Sequence, residues 1–236
     1  MQSTPRFLPA ADAAVVVELG DTVDEAVNAR VLALDEAIRR DPPPGVTETV
    51  PTLRSLLVLY DPLLTGHDAL VAALTPLALA GSLAPRQAQR GEEWTVPVVY
   101  GGDAGSDLEA VAAAAGLSPA AAVAAHTGAL HRVAMLGHLP GLPYCTGLPA
   151  ALHSERHPRP RTRVAAGSVA IAGGLTCVYP VAAPGGWRIL GRTPALLFDP
   201  NASPPAVLAP GDRLRFVAVD ATKAAELEGR PPRRGG

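Results

Sequence analysis

The stretch MLGHLPGLPYCTGLP, which runs from Met135 to Pro149, places a single tyrosine, Tyr144, among closely spaced glycines and prolines. Proline fixes φ and has no backbone donor, whereas glycine permits conformations that other residues avoid. Their density favours a rigid loop over a regular helix or a central strand. A hydroxyl and unpaired backbone amides on such a loop are suited to lining a pre-organised pocket; the alternative is a tight chain reversal without a ligand.

Charged and proton-transferring side chains stand at three further places. His126 ends an alanine-rich segment, where it suits either proton transfer near neutral pH or interaction with the dipole of a helix C-terminus. Arg161 and Arg163 are two residues apart, so on a strand they would share one face and could hold a carboxylate or phosphate; the alternative is a solvated edge. Arg192 and Thr193 follow a glycine, at a turn whose free amides suit an anion.

The remaining reactive side chains form no recognisable catalytic or metal motif. Ser168 has neither a histidine nor an acid next to it in the sequence, so it is not assigned as a nucleophile. The six histidines form no HExxH or HxxxH arrangement, which argues against a zinc site. Cys145 and Cys177 form no CxxC pair, and buried free thiols are favoured over a disulfide between them.

The composition limits the classes of partner. With 236 residues, 48% hydrophobic and 18% charged, the chain is suited to one large or two small folded domains. Its net charge of −2 gives no electrostatic reason to bind nucleic acid. No apolar run approaches the roughly 20 residues that a membrane helix needs, and the start lacks an apolar block of the signal-peptide type. We therefore expect a cytoplasmic protein with neither nucleic-acid nor membrane partners.

The first hundred residues alternate strand and helix patterns. The predicted elements are a strand at Ala13–Leu19, an amphipathic helix from Val23 to Ile38, strands at Val46–Val50 and Ser55–Tyr60, a helix at Asp68–Leu79 and a strand at Trp94–Tyr100. The order βαββαβ is typical of ferredoxin-like domains. Pro97 predicts an edge position for the last strand. Because Ala84–Glu93 is polar and irregular, that strand fits either side of a domain boundary there.

The sequence beyond Tyr100 changes character. Ser106–Glu109 fits a capping box that begins a helix ending at Ala115, and Ser118-Pro119 begins a second helix. No helix is predicted beyond Val133. Short strands between Gly/Pro turns indicate an antiparallel barrel or sandwich, with strands at Ser168–Ala172, Thr176–Tyr179, Arg188–Leu190 and Leu214–Val219. The basic, Pro/Gly-rich end, residues 226–236, predicts disorder.

Five strings in order, from about Val15 to Val219, carry a family resemblance. They are GVTETVPTLRSLLVLYDP, VPVVYGGDAGSDLEAVA, LGHLPGLPYCTGLP, PRTRVAAGSVAIAGG and APGGWRILGRTPALLFDP. Together they resemble the family of bacterial 5-oxoprolinase B subunits. That family also covers Kip-type kinase inhibitors and part of the carboxyltransferase region of urea carboxylases, once labelled allophanate hydrolase subunit 1.

The resemblance implies a fold and a set of partners. The implied fold class is α+β, with a ferredoxin-like domain at residues 1–90 followed by a cyclophilin-like β-barrel at 91–225. The implied activity is ATP-dependent opening of 5-oxoproline, or a related lactam or amide, to glutamate together with the A and the homologous C subunits. ATP with Mg²⁺ would sit on, or be shared with, the partner. The alternatives are a non-enzymatic inhibitor of a sensor histidine kinase and, more weakly, half of a carboxyltransferase acting on a biotin-borne carboxyl group.

The resemblance, taken with the residue types, names the candidate site. Catalytic roles fall on His126, Tyr144 and Arg161. Substrate or anion contacts fall on His138, Pro140, Gly141, Pro143, Arg163, Ser168, Thr176, Arg192 and Thr193.

The chain also departs from the family pattern. In the family the loop usually reads GFLPGFPYLGGL, so His138 and Leu142 replace aromatic residues. A later string usually reads AGSVAIAGxQTGIYP, so Leu175 replaces glutamine and Cys177 replaces glycine. These departures predict an altered pocket lining on a retained scaffold.

Overall fold

The computed structural model describes residues 4–80 and 91–235. The chain divides into two compact units, Met1–Arg90 and Gly91–Gly236. The segment at which the sequence predicts a domain boundary, Ala84–Glu93, lies mostly outside the described residues.

The first unit is a four-stranded antiparallel sheet with two helices. Its elements are β1 (Arg6–Pro9), β2 (Ala14–Glu18), α1 (Glu25–Arg40), β3 (Val46–Pro51), β4 (Ser55–Tyr60) and α2 (His67–Ala80). The strands lie in the order β1-β2-β4-β3. Alternate residues of β2 and β4 pack against the helices, so Val15, Val17, Leu56 and Val58 are fully buried.

The helix α1 forms for the reasons that its sequence suggests. The carboxylate of Asp24 accepts hydrogen bonds from the backbone N–H groups of Ala26 (2.8 Å) and Val27 (3.0 Å), which caps the helix. Its apolar stripe, including Val31, Leu34 and Ile38, is buried against the sheet.

The strand order corrects one prediction. The fourth strand of the first sheet is β1, which pairs with β2 from Arg6↔Glu18 to Pro9↔Val15. The order along the chain is therefore ββαββα and not the predicted βαββαβ, because Trp94–Tyr100 belongs to the second unit. The α+β class is confirmed.

The second unit is built around a closed barrel. Its helices are α3 (Leu108–Ala114), α4 (Pro119–Gly128) and α5 (Ala221–Leu227). Its strands are β5 (Glu93–Tyr100), β6 (His131–Leu136), β7 (Pro143–Thr146), β8 (Arg161–Val164), β9 (Ser168–Ala172), β10 (Leu175–Val178), β11 (Ala183–Gly185), β12 (Arg188–Arg192), β13 (Arg213–Ala218) and β14 (Arg233–Arg234). The order β12-β9-β10-β7-β6-β13-β5 closes through pairing of β5 with β12. The pair β8 and β11 forms a separate ribbon.

Three predictions for this unit are wrong. The strand containing Pro97 is not at an edge, because β5 pairs with β13 on one side and with β14 and β12 on the other. Pro97 fits there because its position falls between the β14 partners (Trp94, Thr95) and the β12 partners (Val99, Tyr100). A helix, α5, does form beyond Val133. Residues 226–236 include the end of α5 and the strand β14, rather than forming a wholly disordered tail.

The loop from Met135 to Pro149 also contains more regular structure than its composition predicts. Pro143 begins β7, which lies between β6 and β10 in the barrel, so the segment is a β-hairpin with a central strand.

No single helix within residues 4–80 and 91–235 is both long and apolar enough to cross a membrane.

Candidate functional site

His126 lies inside the barrel, in a group that we term the His126 cluster: Tyr100, His126, His131, Thr176 and Phe216. Nδ1 of His126 is 2.7 Å from the hydroxyl of Tyr100, and Nε2 is 3.1 Å from Oγ1 of Thr176. Its ring stacks on Phe216 at 4.7 Å between centroids. Both His126 and Thr176 are 0% exposed.

This environment corrects the roles predicted for His126 and Thr176. Burial, with a smaller contribution from nearby His131, lowers the pKa of His126 to about 3. Both ring nitrogens are occupied by side chains of the cluster, and Thr176 also donates to the carbonyl of Ala170 at 3.2 Å. The imidazole is therefore neutral and enclosed, and it holds strands of the barrel together. It does not reach a surface where a substrate would bind.

Asp107 organises a second group, the Asp107 cluster: Asp107, His157, Arg161 and Arg188. Nη2 of Arg161 donates to both carboxylate oxygens, at 2.7 and 2.9 Å. The buried backbone N–H of Ile189 donates to Oδ2 at 2.7 Å, and Nε2 of His157 is 3.1 Å from Oδ1. Because a carboxylate only accepts, that nitrogen of His157 carries a proton.

The cluster explains two further corrections. Burial alone would raise the pKa of Asp107, but hydrogen bonds from Arg161, Ile189 and His157 outweigh it, and the pKa is lowered. The guanidinium of Arg161 is thus already paired within the protein, so it is not a free clamp for a substrate anion. The predicted capping box at Ser106 is also wrong, since Asp107 occupies the N-cap of α3 while its side chain makes no capping bond.

The other predicted anion contacts lie apart from one another. Arg163 is exposed on β8, and Nε of the exposed Arg192 donates to the carbonyl of Ala166 at 3.2 Å. Thr193 is buried, and its hydroxyl accepts from the backbone of Ala195 at 3.1 Å. Ser168 is buried within β9. The structure does not gather these residues around one pocket.

The hairpin formed by β6 and β7 contains a tight turn between the two strands. The backbone N–H of Gly137 donates to the carbonyl of Leu142 at 3.1 Å, which closes the turn. Gly141 has φ +70°, and a Cβ there would lie 3.1 Å from Cβ of Phe198. His138 also has positive φ, at 66°, which is uncommon for a residue other than glycine. Such strained residues cluster at functional sites.

Beside this hairpin lies an open cavity of about 280 Å³, which we term the Trp187 cavity. His138 and Leu142 contribute to its lining from the turn. Its other main lining residues are Tyr144, Arg156, His157, Cys177, Tyr179 and Trp187. Pro140, Gly141 and Pro143 do not line it; they shape the turn that carries His138. The predicted pocket therefore has Tyr144 and His138 in its wall.

The aromatic wall of the cavity is formed by Tyr144 on β7, Tyr179 directly after β10 and Trp187 in the bend between β11 and β12. The ring of Tyr144 meets Trp187 edge to face, with 5.5 Å between centroids and 74° between planes. Burial raises the pKa of Tyr144; Cys177 adds to this and Arg156 opposes it. Burial also raises the pKa of Tyr179 to about 12. Both hydroxyls therefore stay protonated at neutral pH and are available as hydrogen-bond donors.

Arg156 is the residue of this site that the sequence motifs miss. Its guanidinium carbon lies 5.7 Å from the ring centroid of Trp187, within cation–π range. In the described part of the chain it has no ion pair or hydrogen bond. The signal in the sequence is the segment HSERHPRPRTR, which holds four arginines in eleven residues, but pattern alone does not say which of them is unpaired.

The departures from the family pattern lie together in space. His138, Leu142 and Cys177 line the Trp187 cavity, and Leu175 packs in the same apolar cluster as Tyr144. Cys145 faces the other side of the sheet, because it pairs with Thr176 while Cys177 pairs with Tyr144. Both thiols are free and buried, as predicted.

Comparison with known proteins assigns the family. The carboxyltransferase domain family, subdomains C and D, matches residues 5–208. The chain is 37% identical over 216 residues to the 5-oxoprolinase B subunit of Bacillus subtilis (strain 168), which covers 88% of this chain and 90% of that protein. It is 41% identical over 207 residues to the 5-oxoprolinase B subunit of Escherichia coli O157:H7, covering 87% and 92%. The chain belongs to the family of 5-oxoprolinase B subunits.

A solved structure extends the comparison. TTHA0988 is 38% identical, with a TM-score of 0.76 over 88% of this chain. The chain spans only 40% of the length of TTHA0988, although it spans nine-tenths of the two 5-oxoprolinase B subunits. A protein of this family can thus resemble one part of a longer polypeptide.

Proposed function

We propose that the chain is the B subunit of a 5-oxoprolinase-type complex that opens 5-oxoproline, or a related lactam or amide, at the expense of ATP. The observation that carries this proposal is the 37% and 41% identity to two 5-oxoprolinase B subunits over about nine-tenths of each protein. A lone cyclic amide resists water, so coupling to ATP, by phosphorylation of the amide oxygen, would make its carbonyl carbon open to attack. Water would then add to that carbon, and the ring C–N bond would break with the nitrogen leaving as the amine of glutamate. A second water would hydrolyse the acyl phosphate left behind, so that the products are glutamate, ADP and inorganic phosphate.

The partners are part of the proposal. That the chain matches only 40% of TTHA0988 supports a unit that is completed by a second polypeptide. We assign that place to a homologous C subunit, and the complex is completed by the A subunit. The Trp187 cavity supports the same arrangement, because it is open, burial keeps its Cys177 thiol protonated by raising the pKa, and its His157 is hydrogen-bonded to Asp107.

The cavity offers hydrogen-bond donors to an amide. The hydroxyls of Tyr144 and Tyr179 stay protonated, and both line the cavity. Donors of this kind stabilise negative charge that develops on a carbonyl oxygen. At about 280 Å³ the space lies near the lower end of the size range for ligand pockets, which suits a small substrate.

The residues of this cavity do not fit ATP with Mg²⁺. Within residues 4–80 and 91–235, no three His, Cys, Asp or Glu side chains are grouped as metal ligands. The glycine-rich stretch Gly101–Asp107 lacks the Lys-Ser/Thr pair that follows the last glycine of a P-loop, and its Asp107 is already paired with Arg161. We therefore assign the nucleotide to the partner and derive no step through it on this chain.

Reconstitution tests the proposal. The chain is co-expressed with homologues of the A and C subunits, and glutamate release from 5-oxoproline is measured with and without ATP. We expect glutamate only when this chain, both partners and ATP are all present. Equal glutamate release without this chain would contradict the proposal. So would a chain that does not co-purify with the C subunit yet blocks autophosphorylation of a sensor histidine kinase, which is the outcome that the inhibitor alternative predicts.

A further inference from the structure

The arginines around the Trp187 cavity differ in what they contact. Arg161 is paired with Asp107, and Arg188 donates to the carbonyl of Glu155 at 3.2 Å and lies 3.0 Å from Nδ1 of His157. Those two guanidinium groups hold the cavity wall together. Arg156 instead rests on the face of Trp187 and has no acidic partner among the described residues.

The position of Arg156 directs its charge into the cavity. Its electrostatic influence reaches three groups of the lining, Tyr144, Cys177 and Tyr179, on which it acts to favour the anionic form. Arg156 lines the same cavity as all three, and a ligand anion placed among them would feel the same attraction. The planar guanidinium presents paired N–H donors, a geometry that matches a carboxylate, and stacking on an indole restricts its motion.

The rest of the cavity lining contains no acidic side chain. Leu142, Cys177, Trp187 and the proline Pro184 are apolar or weakly polar, and the tyrosine hydroxyls are neutral donors. The only acid of the adjoining Asp107 cluster is fully used by its hydrogen bonds to Arg161, His157 and Ile189. A ligand that fits has one negative charge and an uncharged body that can lie on an aromatic surface.

We propose that Arg156 binds the carboxylate of a small substrate whose uncharged ring lies against Trp187. This inference rests on the proposed function and deepens it, since it names the group of the substrate that this subunit recognises. It transfers the anion-binding role from Arg161 to Arg156. The carboxylate anchors the molecule, and the neutral amide of the ring faces the donors of the tyrosines.

Calorimetric titration of the full chain tests this assignment with two probes that differ in one group. The probes are 5-oxoproline and 2-pyrrolidinone, which has the same lactam ring without the carboxylate. We expect 5-oxoproline to bind at least about 10-fold more tightly than 2-pyrrolidinone. Loss of a charge-assisted contact in Arg156→Ala should weaken 5-oxoproline binding by about 10- to 150-fold and leave 2-pyrrolidinone unaffected. Arg156→Lys, which keeps the charge without the planar fork, should fall between the two.

Arg159→Ala is the matched control, because it removes an exposed arginine of the same segment that does not line the cavity. It should bind 5-oxoproline as the wild type does. Wild-type affinity in Arg156→Ala, equal affinity for the two probes, or no saturable binding of 5-oxoproline would each overturn the assignment. Glutamate release by the reconstituted complex is measured separately. If the complex is active and Arg156→Ala changes neither its rate nor its KM, the role of Arg156 is wrong while the proposed function stands.

Discussion

The interior of the barrel and the Trp187 cavity are both built from aromatic and titratable side chains, but they differ in whether the polar groups are hydrogen-bonded within the protein. In the His126 cluster the hydrogen-bonding atoms of His126, Tyr100 and Thr176 meet one another. In the cavity, the ring of Tyr144 meets Trp187 edge to face, and the guanidinium of Arg156 lies over the Trp187 ring. The hydrogen-bonding groups of Tyr144 and Arg156 have no partner within the described part of the chain. Paired groups stabilise a fold, whereas unpaired groups on an open surface remain available for a ligand.

The contrast reverses the roles that residue type suggests. A histidine is the usual choice for proton transfer, but here burial has removed His126 from that task. An exposed arginine is usually only solvated, but Arg156 is held over an indole at the edge of a cavity. Substitutions in the His126 cluster should therefore act on stability, and substitutions in the Trp187 cavity should act on binding.

The largest effect is expected from a paired group. Asp107→Ala would leave Nη2 of the part-buried Arg161 and the buried N–H of Ile189 without an acceptor. Breaking such a buried pair costs about 3 kcal/mol or more in free energy of unfolding, measurable by urea denaturation. Asp103→Ala, in an exposed turn nearby, serves as the control and should change stability by less than about 0.5 kcal/mol. A small effect at Asp107 would show that the cluster does not support the cavity wall.

The second prediction uses pH. The pKa of His126 is about 3 in the folded protein against 6.5 for an ordinary histidine, so between these values the unfolded chain binds a proton that the folded chain does not. Stability must therefore fall as the pH falls, by about 2 kcal/mol between pH 7 and pH 5 for this residue alone. His126→Gln should flatten that decrease, and His138→Gln, at an exposed position, should not. Equal slopes in all three proteins would contradict a neutral, buried His126.

The third prediction concerns the turn of the hairpin. Gly141→Val is expected to lower the free energy of unfolding by about 1–3 kcal/mol, because valine would have to adopt φ +70° and its Cβ would press on Phe198. Gly173→Val shares the positive φ, at +56°, but has no atom within 4 Å of the added Cβ. It should therefore cost less. If the two variants melted alike, the contact with Phe198 would have no part in the loss.

The smallest and most discriminating effects come from two tyrosines. Tyr100→Phe removes the hydroxyl bonded to His126 and should lower stability by about 0.5–1.5 kcal/mol while leaving 5-oxoproline binding unchanged. Tyr144→Phe removes a hydroxyl that lines the cavity and should weaken binding by about 2- to 10-fold with little change in melting temperature. The reverse pattern would show that the His126 cluster binds the ligand and that Tyr144 only stabilises the fold. If Tyr144→Phe changed neither binding nor melting temperature, the hairpin would be a chain reversal without a role in binding.

Local patterns predict much of the fold. The strands predicted at Ser168–Ala172 and Ser55–Tyr60 have the bounds that the structure has. The Ser118-Pro119 start of α4 is confirmed, with the serine hydroxyl accepting from Ala121 at 3.1 Å. In each case the signal lies within a few neighbouring residues, as alternation or as a cap.

The rest depends on contacts far apart along the chain. The four-residue strand β1, which contains Pro9, gives almost no periodic signal and becomes a strand only by pairing with β2. Whether Arg156 or Arg161 is free depends on Asp107, which lies 54 residues before Arg161 and reaches it only after the barrel has folded. For the same reason the resemblance identifies the family and the hairpin but cannot identify the arginine.

The two tryptophans allow the central claim to be tested in one experiment, since each reports on one region. The indole N–H of Trp94 donates to Asp212 at 2.9 Å within the second unit, away from the cavity, whereas Trp187 forms the cavity wall. In the ¹⁵N-labelled full chain, addition of 5-oxoproline should shift the indole resonance of Trp187 in a saturable way and leave that of Trp94 in place. A shift of Trp94 alone, or of neither indole, would contradict the assignment of the Trp187 cavity as the ligand site.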